Sequence, residues 1–259
     1  MNVLNWNLEW ASNRSARGKE ISRLIASHAP SVMCLTETTL GMLPKDGHVL
    51  LPEGNSGYPG PTNRRKVALW SSAPWTETDL IGHPDLPGGR FVSGVTHGIR
   101  FVGVCIPWHA SHVANGRKDR KLWEDHLTYL HLLRPILERY LKSKIPLCVL
   151  GDFNQTIPQG WQPDPVFQAL TQTFAPPLSL PTAELTDPDG KLLIDHFAIS
   201  PALRFLLRQW LPKESDAGLR LSDHTGILAE ILSSFARSTR PPINDKCLHA
   251  GLPPERYKT

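Results

Sequence analysis

Apolar residues fall in short runs separated by polar loops, and three stretches carry the wider spacing of an amphipathic helix. NVLNWNL (2–8) reads as a strand. RGKEISRLIASH (17–28) sets Ile21, Leu24, Ile25 and His28 at helical spacing, and Pro30 forces an exit before SVMCLTE (31–37), a second strand. This strand–helix–strand unit should bring its two strands side by side. Residues 38–63, rich in Gly, Pro and Asn, read as a long loop. RKVALWS (65–71) is a strand, and 74–89 holds strand-like residues before a Pro/Gly-rich loop. RFVSGVTH (90–97) and IRFVGVCI (99–106) predict a hairpin turning at His97-Gly98, followed by a polar loop, PWHASHVANG (107–116). From Lys118 to Leu141 the helical spacing returns at Leu122, Trp123, His126, Leu127, Leu130, Leu133, Leu137 and Leu141, with Pro135 expected to kink or divide the helix. IPLCVLG (145–151) is a buried strand, DPVFQALTQ (164–172) a short helix, and LLIDHFAIS (192–200) strand-like. LRFLLRQWL (203–211) fits either strand or helix, and SDHTGILAEIL (222–232) ends as a strand. Residues 233–259 lose periodicity and gain Pro, Arg and Lys, so they read as a surface tail behind a domain at 1–232. Many strands with few helices predict an α/β domain of two packed sheets rather than a doubly wound parallel sheet.

The 259-residue length, 40% apolar and 20% charged content describe an ordinary globular chain. A formal charge of +4 permits a polyanionic partner without demanding one. The 24 prolines argue against a helical bundle. Cys34, Cys105, Cys148 and Cys247 lack metal-type spacing, and three of them sit in apolar runs, so buried free thiols and a reducing compartment are expected. With no membrane-spanning run and no apolar leader in MNVLNWNLEW, a cytoplasmic location follows as an expectation.

The chemistry lies where apolar runs end. Asn7 closes the first strand and Glu37 the second, and His109 follows the run 101–106. In VLGDFNQTI (149–157), Asp152 and Asn154 follow another run, Asp195 and His196 interrupt LLIDHFAI, and Asp223 and His224 open the last strand. Each has a plain reading as a cap, a turn or a loop residue. Asp195 resists it, because a buried carboxylate is costly without a donor, and an imidazolium is a natural one. Loops at one edge of a layered α/β fold can bring such strand ends together. Glu37 and Asp223 are hard oxygen donors suited to Mg²⁺ or Mn²⁺. There is no G-x-S-x-G elbow and no P-loop. Carboxylates, amides and histidines around a divalent cation suit phosphate-ester hydrolysis.

The ordered set WN (6–7), LTE (35–37), PWHAS (107–111), GDFN (151–154), IDHF (194–197) and SDH (222–224) resembles the endonuclease/exonuclease/phosphatase superfamily, which includes the pancreatic-type deoxyribonucleases and abasic-site endonucleases. The resemblance implies a four-layer α/β sandwich, two mixed sheets face to face with helices outside. It implies Glu37 as the main Mg²⁺ ligand, with Asn7 beside it and Asp223 a further ligand, direct or through water. Asp195 resembles the aspartate that holds the catalytic histidine, here His224. Asp152 would position or deprotonate the attacking water, and Asn154 and His109 would donate to the phosphate. His109 resembles the histidine of the pancreatic-type enzymes. Two readings of the activating group stay open. His224, held by Asp195, is favoured over Asp152 because a nearby cation depresses a carboxylate's pKa.

The implied activity is Mg²⁺-dependent hydrolysis of a phosphodiester, first of all by an endonuclease acting on DNA. The alternative substrates are a lipid headgroup, an inositol phosphate or another small ester. Arg117, Lys118, Arg120 and Lys121 in GRKDRK (116–121) could meet DNA phosphates, or form only the solvated start of a helix. Trp108 could stack on a base or pack in the core. His196 and Trp10 read as neighbours of the site. No obligate protein partner is evident, and a monomer is expected.

Overall fold

A computed structural model describes residues 1–233; Cys247 and the remainder of the expected tail lie outside the described residues. In chain order the elements are β1 (Asn2–Asn7), α1 (Ala16–His28), β2 (Val32–Thr39), β3 (His48–Leu50), β4 (Arg64–Ser71), β5 (Thr76–Asp79), β6 (Phe91–Thr96) and β7 (Ile99–Cys105). Then come α2 (Glu124–Leu141), β8 (Leu147–Asp152), α3 (Asp164–Thr173), β9 (Asp195–Ile199), β10 (Leu203–Leu211) and β11 (Gly226–Ser233).

Strand alternation builds the layers. Side chains of a strand point alternately to opposite faces. In β1, Val3 packs between the sheets while Leu4 and Trp6 pack on the outer face with Ile21 and Ile25 of α1. In β8, Cys148 and Leu150 face the inter-sheet core, while Leu147 and Val149 meet Leu130, Leu133 and Leu137 of α2 and Leu170 of α3. The result is α1, a six-stranded sheet, a five-stranded sheet, and α2 with α3: the four-layer α/β sandwich. The six-stranded sheet runs β10-β11-β1-β2-β4-β3 and the five-stranded sheet β5-β6-β7-β8-β9. Both are mixed: β1–β2 and β7–β8 are parallel, their neighbours antiparallel.

Several elements depart from the sequence reading. The second helix starts at Glu124, not near Lys118, because Trp123 takes a left-handed φ of 69°. Pro135 does not divide α2; it and His131, whose carbonyl loses its helical donor, are exposed, so water can take that carbonyl. The loop at 38–63 contains a 3-10 turn at Leu40–Met42 and the short strand β3, paired with β4. The ambiguous 203–211 segment is strand β10, an edge strand whose mostly exposed side chains blur its periodicity. Cys34, Cys105 and Cys148 are buried free thiols. No helix among the described residues is long and apolar enough to cross a membrane.

Candidate active site at the strand ends

The alternation that sends Val3 between the sheets sends Asn5 and Asn7 there too, and the one that buries Leu150 delivers Asp152 to the same gap. In β9, Asp195 shares its face with Phe197 of the inter-sheet core, while His196 shares its face with Ala198, on the helix side. Asp152 and Asp195 lie opposite each other in the β8–β9 ladder. Four polar residues therefore come together at one end of the inter-sheet layer, by periodicity and register alone.

Hydrogen bonds lock them. Asn5 Nδ2 donates to the carbonyls of Gly151 and His196 at 3.2 and 3.4 Å. Asn7 Nδ2 donates to Asp152 Oδ2 at 3.1 Å, and the Asn154 backbone N–H donates to Asp152 Oδ1 at 2.9 Å. Asn154 Nδ2 in turn donates to the Ile106 carbonyl at 2.9 Å. His224 Nδ1 and Asp195 Oδ2 are 2.5 Å apart. The turn carrying His224 is tied to β1: Ser222 Oγ donates to the Asn7 carbonyl at 2.6 Å, and Trp6 Nε1 donates to the His224 carbonyl at 3.1 Å. Gly151 makes the close approach of β7 possible. Its φ is +143°, and a Cβ there would collide with the Val104 carbonyl oxygen.

The electrostatics follow from crowding acids in a buried place. Burial, then the facing Asp195 carboxylate and, further off, Glu37, push Asp152 up to about 7, with His224 pulling the other way. Burial disfavours the His224 imidazolium, but the charge and hydrogen bond of Asp195, reinforced by Asp152, override it and raise His224 to about 10. The neighbouring acids contribute to both shifts, adding to burial at Asp152 and opposing it at His224.

Glu37 sits at a break in alternation. Its φ of 42° is left-handed, unusual for a non-glycine residue, and its backbone carbonyl accepts from Trp10 N–H at 2.7 Å. Glu37 Oε1 is ion-paired at 2.7 Å with Lys66 Nζ, which the β2–β4 register places opposite it. Asp223 is half-exposed, its Oδ1 3.8 Å from His224 Nε2. No group of three or more His, Cys, Asp or Glu side chains among the described residues is closed into a metal-holding cluster. The donor chemistry nevertheless fits a hard divalent cation. Glu37 already draws a cation onto its carboxylate, Asp152 is pushed upward by burial and then by neighbouring acids, and Asp195 Oδ1 is buried without a hydrogen-bond partner. Glu37, Asn7 and Asp223 offer the carboxylate and amide oxygens.

His109 follows Ile106, the residue that Asn154 grips, and lies among aromatic rings: Trp108 at 4.8 Å, Trp161 at 4.9 Å and Trp123 at 5.6 Å between centroids. Its ring contacts among the described residues are with these three tryptophans. Trp108 is 37% exposed, so it is not a core residue, and Trp161 is 65% exposed. In the basic loop, Arg120 is spent on Asp125 at 2.9 Å and Asp119 at 3.3 Å, and Arg117 pairs with Asp119 at 3.5 Å. Lys118 and Lys121 are exposed. Trp10 lies beside Glu37 as a neighbour of the site. His196 is buried on the far side of the sheet, accepting from Thr182 Oγ1 and donating to the Gln155 carbonyl. Sequence reasoning missed Asn5 and Lys66. Asn5 obeys the same alternation as Asn7 and was legible in principle, whereas Lys66 depends on the β2–β4 register, which no motif carries.

These features can be set beside known proteins. The profile of the Endonuclease/Exonuclease/phosphatase family matches residues 4–224. No curated protein matches the chain by sequence. Among solved structures, a 3'-5' exonuclease (NExo) from Neisseria meningitidis superposes with a TM-score of 0.66 at 20% identity, covering 89% of this chain and 99% of that one. The 3' phosphatase NExo from Neisseria bound to a product DNA hairpin gives 0.64 at 19% identity, covering 90% and 99%. An AP endonuclease from Archaeoglobus fulgidus gives 0.64 at 14%, covering 89% and 98%. At these identities the structural likeness speaks to the fold, and the profile match over most of the chain supplies the rest: this protein belongs to the endonuclease/exonuclease/phosphatase family of phosphoesterases.

Proposed function

We propose that the protein is a Mg²⁺- or Mn²⁺-dependent phosphodiesterase that hydrolyses DNA, acting as an endonuclease. The observation that carries this reading is the junction of two hydrogen-bonded pairs, Asn7–Asp152 and Asp195–His224, at facing positions of one ladder. The Asp195 carboxylate holds His224 by Nδ1, which fixes the ring and leaves Nε2 to face the substrate. Asp152 is oriented at both oxygens, by Asn7 and by the Asn154 N–H, and directs the attacking water. The water oxygen adds to phosphorus in line as the opposite P–O bond breaks, and the departing oxygen takes up a proton. Against the pull of burial, Asp195 and Asp152 keep the His224 ring protonated, so His224 stabilises the extra charge on phosphorus while the raised Asp152 carboxylate accepts the proton of the attacking water. Asn154 and His109 donate to the non-bridging oxygens. Glu37, Asn7 and Asp223 would hold the metal, which polarises the phosphoryl group and offsets developing charge. Exposed Trp108, Lys118 and Lys121, with Arg117 held only by Asp119, offer stacking and charge for a nucleic-acid strand, whereas Arg120 is occupied by Asp125 and Asp119.

The NExo structure that holds a product DNA hairpin supports DNA as the substrate class. The test is a panel of supercoiled plasmid, single-stranded DNA, abasic duplex, RNA and sphingomyelin with purified protein and Mg²⁺ or Mn²⁺. Nicked circles from the plasmid, with a chelator abolishing them, are the expected result. Turnover confined to sphingomyelin or another small ester would overturn the DNA reading.

A further inference from the structure

Beside Glu37 opens a cavity of about 460 Å³, bounded by the loop at 52–62 and by Trp10, Arg64, Arg65 and Lys66. Its described lining holds three cationic residues and no acidic one. The aromatic rings here position cations. The Arg64 guanidinium lies 4.9 Å and Lys66 Nζ 4.8 Å from the Trp10 ring centroid, and Lys66 Nζ is 5.2 Å from that of Tyr58. Behind Tyr58 lies the buried Arg90, 5.8 Å from the ring centroid, with Nε and Nη2 lacking hydrogen-bond partners.

The wall is braced. Tyr58 stacks on His112 at 4.5 Å, its hydroxyl accepts the His112 backbone N–H at 3.1 Å, and it shares a hydrogen bond with Ser111 Oγ at 3.0 Å. His112 Nδ1 is 2.5 Å from the buried Asp125 of α2. The buried His112–Asp125 pair, which has no part in the proposed hydrolysis, thus anchors the pocket. Lys66 bridges pocket and hydrolytic centre, reaching Glu37 on one side and the aromatic wall on the other.

We propose that this cavity is a second-phosphate subsite: it receives a phosphate group next to the scissile one, so the preferred substrate carries at least two phosphates in close succession. Arg64, held over the Trp10 ring, and Arg65, whose Nη1 donates to the Thr62 and Arg64 carbonyls, are worth more to an anion than freely mobile cations, while Lys66 shares its charge with Glu37. The inference rests on the phosphodiesterase reading for what occupies the neighbouring position, but its test does not require turnover.

Binding is measured by calorimetry in EDTA with TpT, TpTpT, 5'-phosphorylated TpT and an inositol bisphosphate. TpTpT or the 5'-phosphorylated dinucleotide should bind about tenfold more tightly than TpT. Arg64→Glu should erase that advantage and Arg64→Lys, which keeps the charge, should retain most of it. Arg64 is exposed, so both variants should fold, as circular dichroism can verify. A TpTpT advantage points to a backbone phosphate. An advantage for the 5'-phosphorylated form alone points to a terminal one, and tightest binding of the inositol bisphosphate to a small ester's second phosphate. Equal affinity for TpT and all the two-phosphate ligands, or an advantage that survives Arg64→Glu, would overturn the subsite. Tight two-phosphate binding without hydrolysis of any substrate would sink the proposed reaction and leave the subsite standing.

Discussion

At the scale of single residues, what each polar side chain is fastened to decides its chemistry. Asp195→Asn keeps the shape of β9 but removes the charge that holds His224. The turnover number should fall about 10²–10⁴-fold, with thermal unfolding little changed. A drop of less than threefold would remove Asp195–His224 from the chemistry. Lys66 makes the opposite kind of prediction. Its ammonium competes with any metal for Glu37, so Lys66→Met should tighten Mn²⁺ binding severalfold, read by electron paramagnetic resonance of free Mn²⁺. Unchanged or weaker binding would mean that Glu37 is not a ligand. Most of the site was legible in sequence because Asn7, Glu37, Asp152, Asp195 and His224 sit at the ends of apolar runs, where strands stop and chemistry can begin. Lys66 and Tyr58 were not. Lys66 lies opposite Glu37 only through the β2–β4 register, and Tyr58 belongs to a loop held by Ser111 and His112, far away in sequence.

At the scale of elements, the strands were read well wherever a side chain's burial enforces alternation, as in β1, β2, β7 and β8. They were read poorly where exposure removes it. β10 is an edge strand that presents arginines at 204 and 208 to solvent, so nothing in its pattern distinguishes strand from helix. The start of α2 was misplaced because helical spacing extends upstream of Trp123, whose left-handed backbone marks the true boundary. Gly151 gives an element-level test. Parallel pairing sets it against Val104, and its φ is one that L-residues avoid. Gly151→Ala should cost roughly 2–4 kcal/mol of stability, measured by urea denaturation, because strain and overpacking combine. A loss under about 0.5 kcal/mol would mean that β7 and β8 separate more easily than their ladder implies.

At the scale of the whole molecule, two buried imidazoles outside the site tie stability to pH. Burial lowers both His126 and His196 to about 4. His126 donates from Nδ1 to the Pro107 carbonyl at 2.5 Å and accepts at Nε2 from Gln155 at 2.6 Å, an arrangement only the neutral ring satisfies. Between pH 6.5 and 4 the unfolded chain takes up protons at these positions and the folded chain does not. Their contribution is therefore full above pH 6.5 and is lost as pH falls toward 4, on the order of 3 kcal/mol for each ring. Imidazole NMR signals of both residues should stay in the neutral form down to pH 5 while the urea midpoint declines; titration of either near 6.5 would contradict this. The layer order itself follows from alternation in the sequence, but which strand ends meet follows from the pairing of β1 with β2 and β11 and of β8 with β9, a long-range choice that local pattern does not encode. Whether these strand ends form one hydrolytic centre for DNA is decided by the rate at which supercoiled plasmid is nicked by wild-type protein and by His224→Ala, each with Mg²⁺ and with chelator. Nicking is expected from the wild-type protein with Mg²⁺, and at least about a hundredfold less in the other three conditions. Equal nicking by His224→Ala, or nicking that persists in chelator, would contradict it.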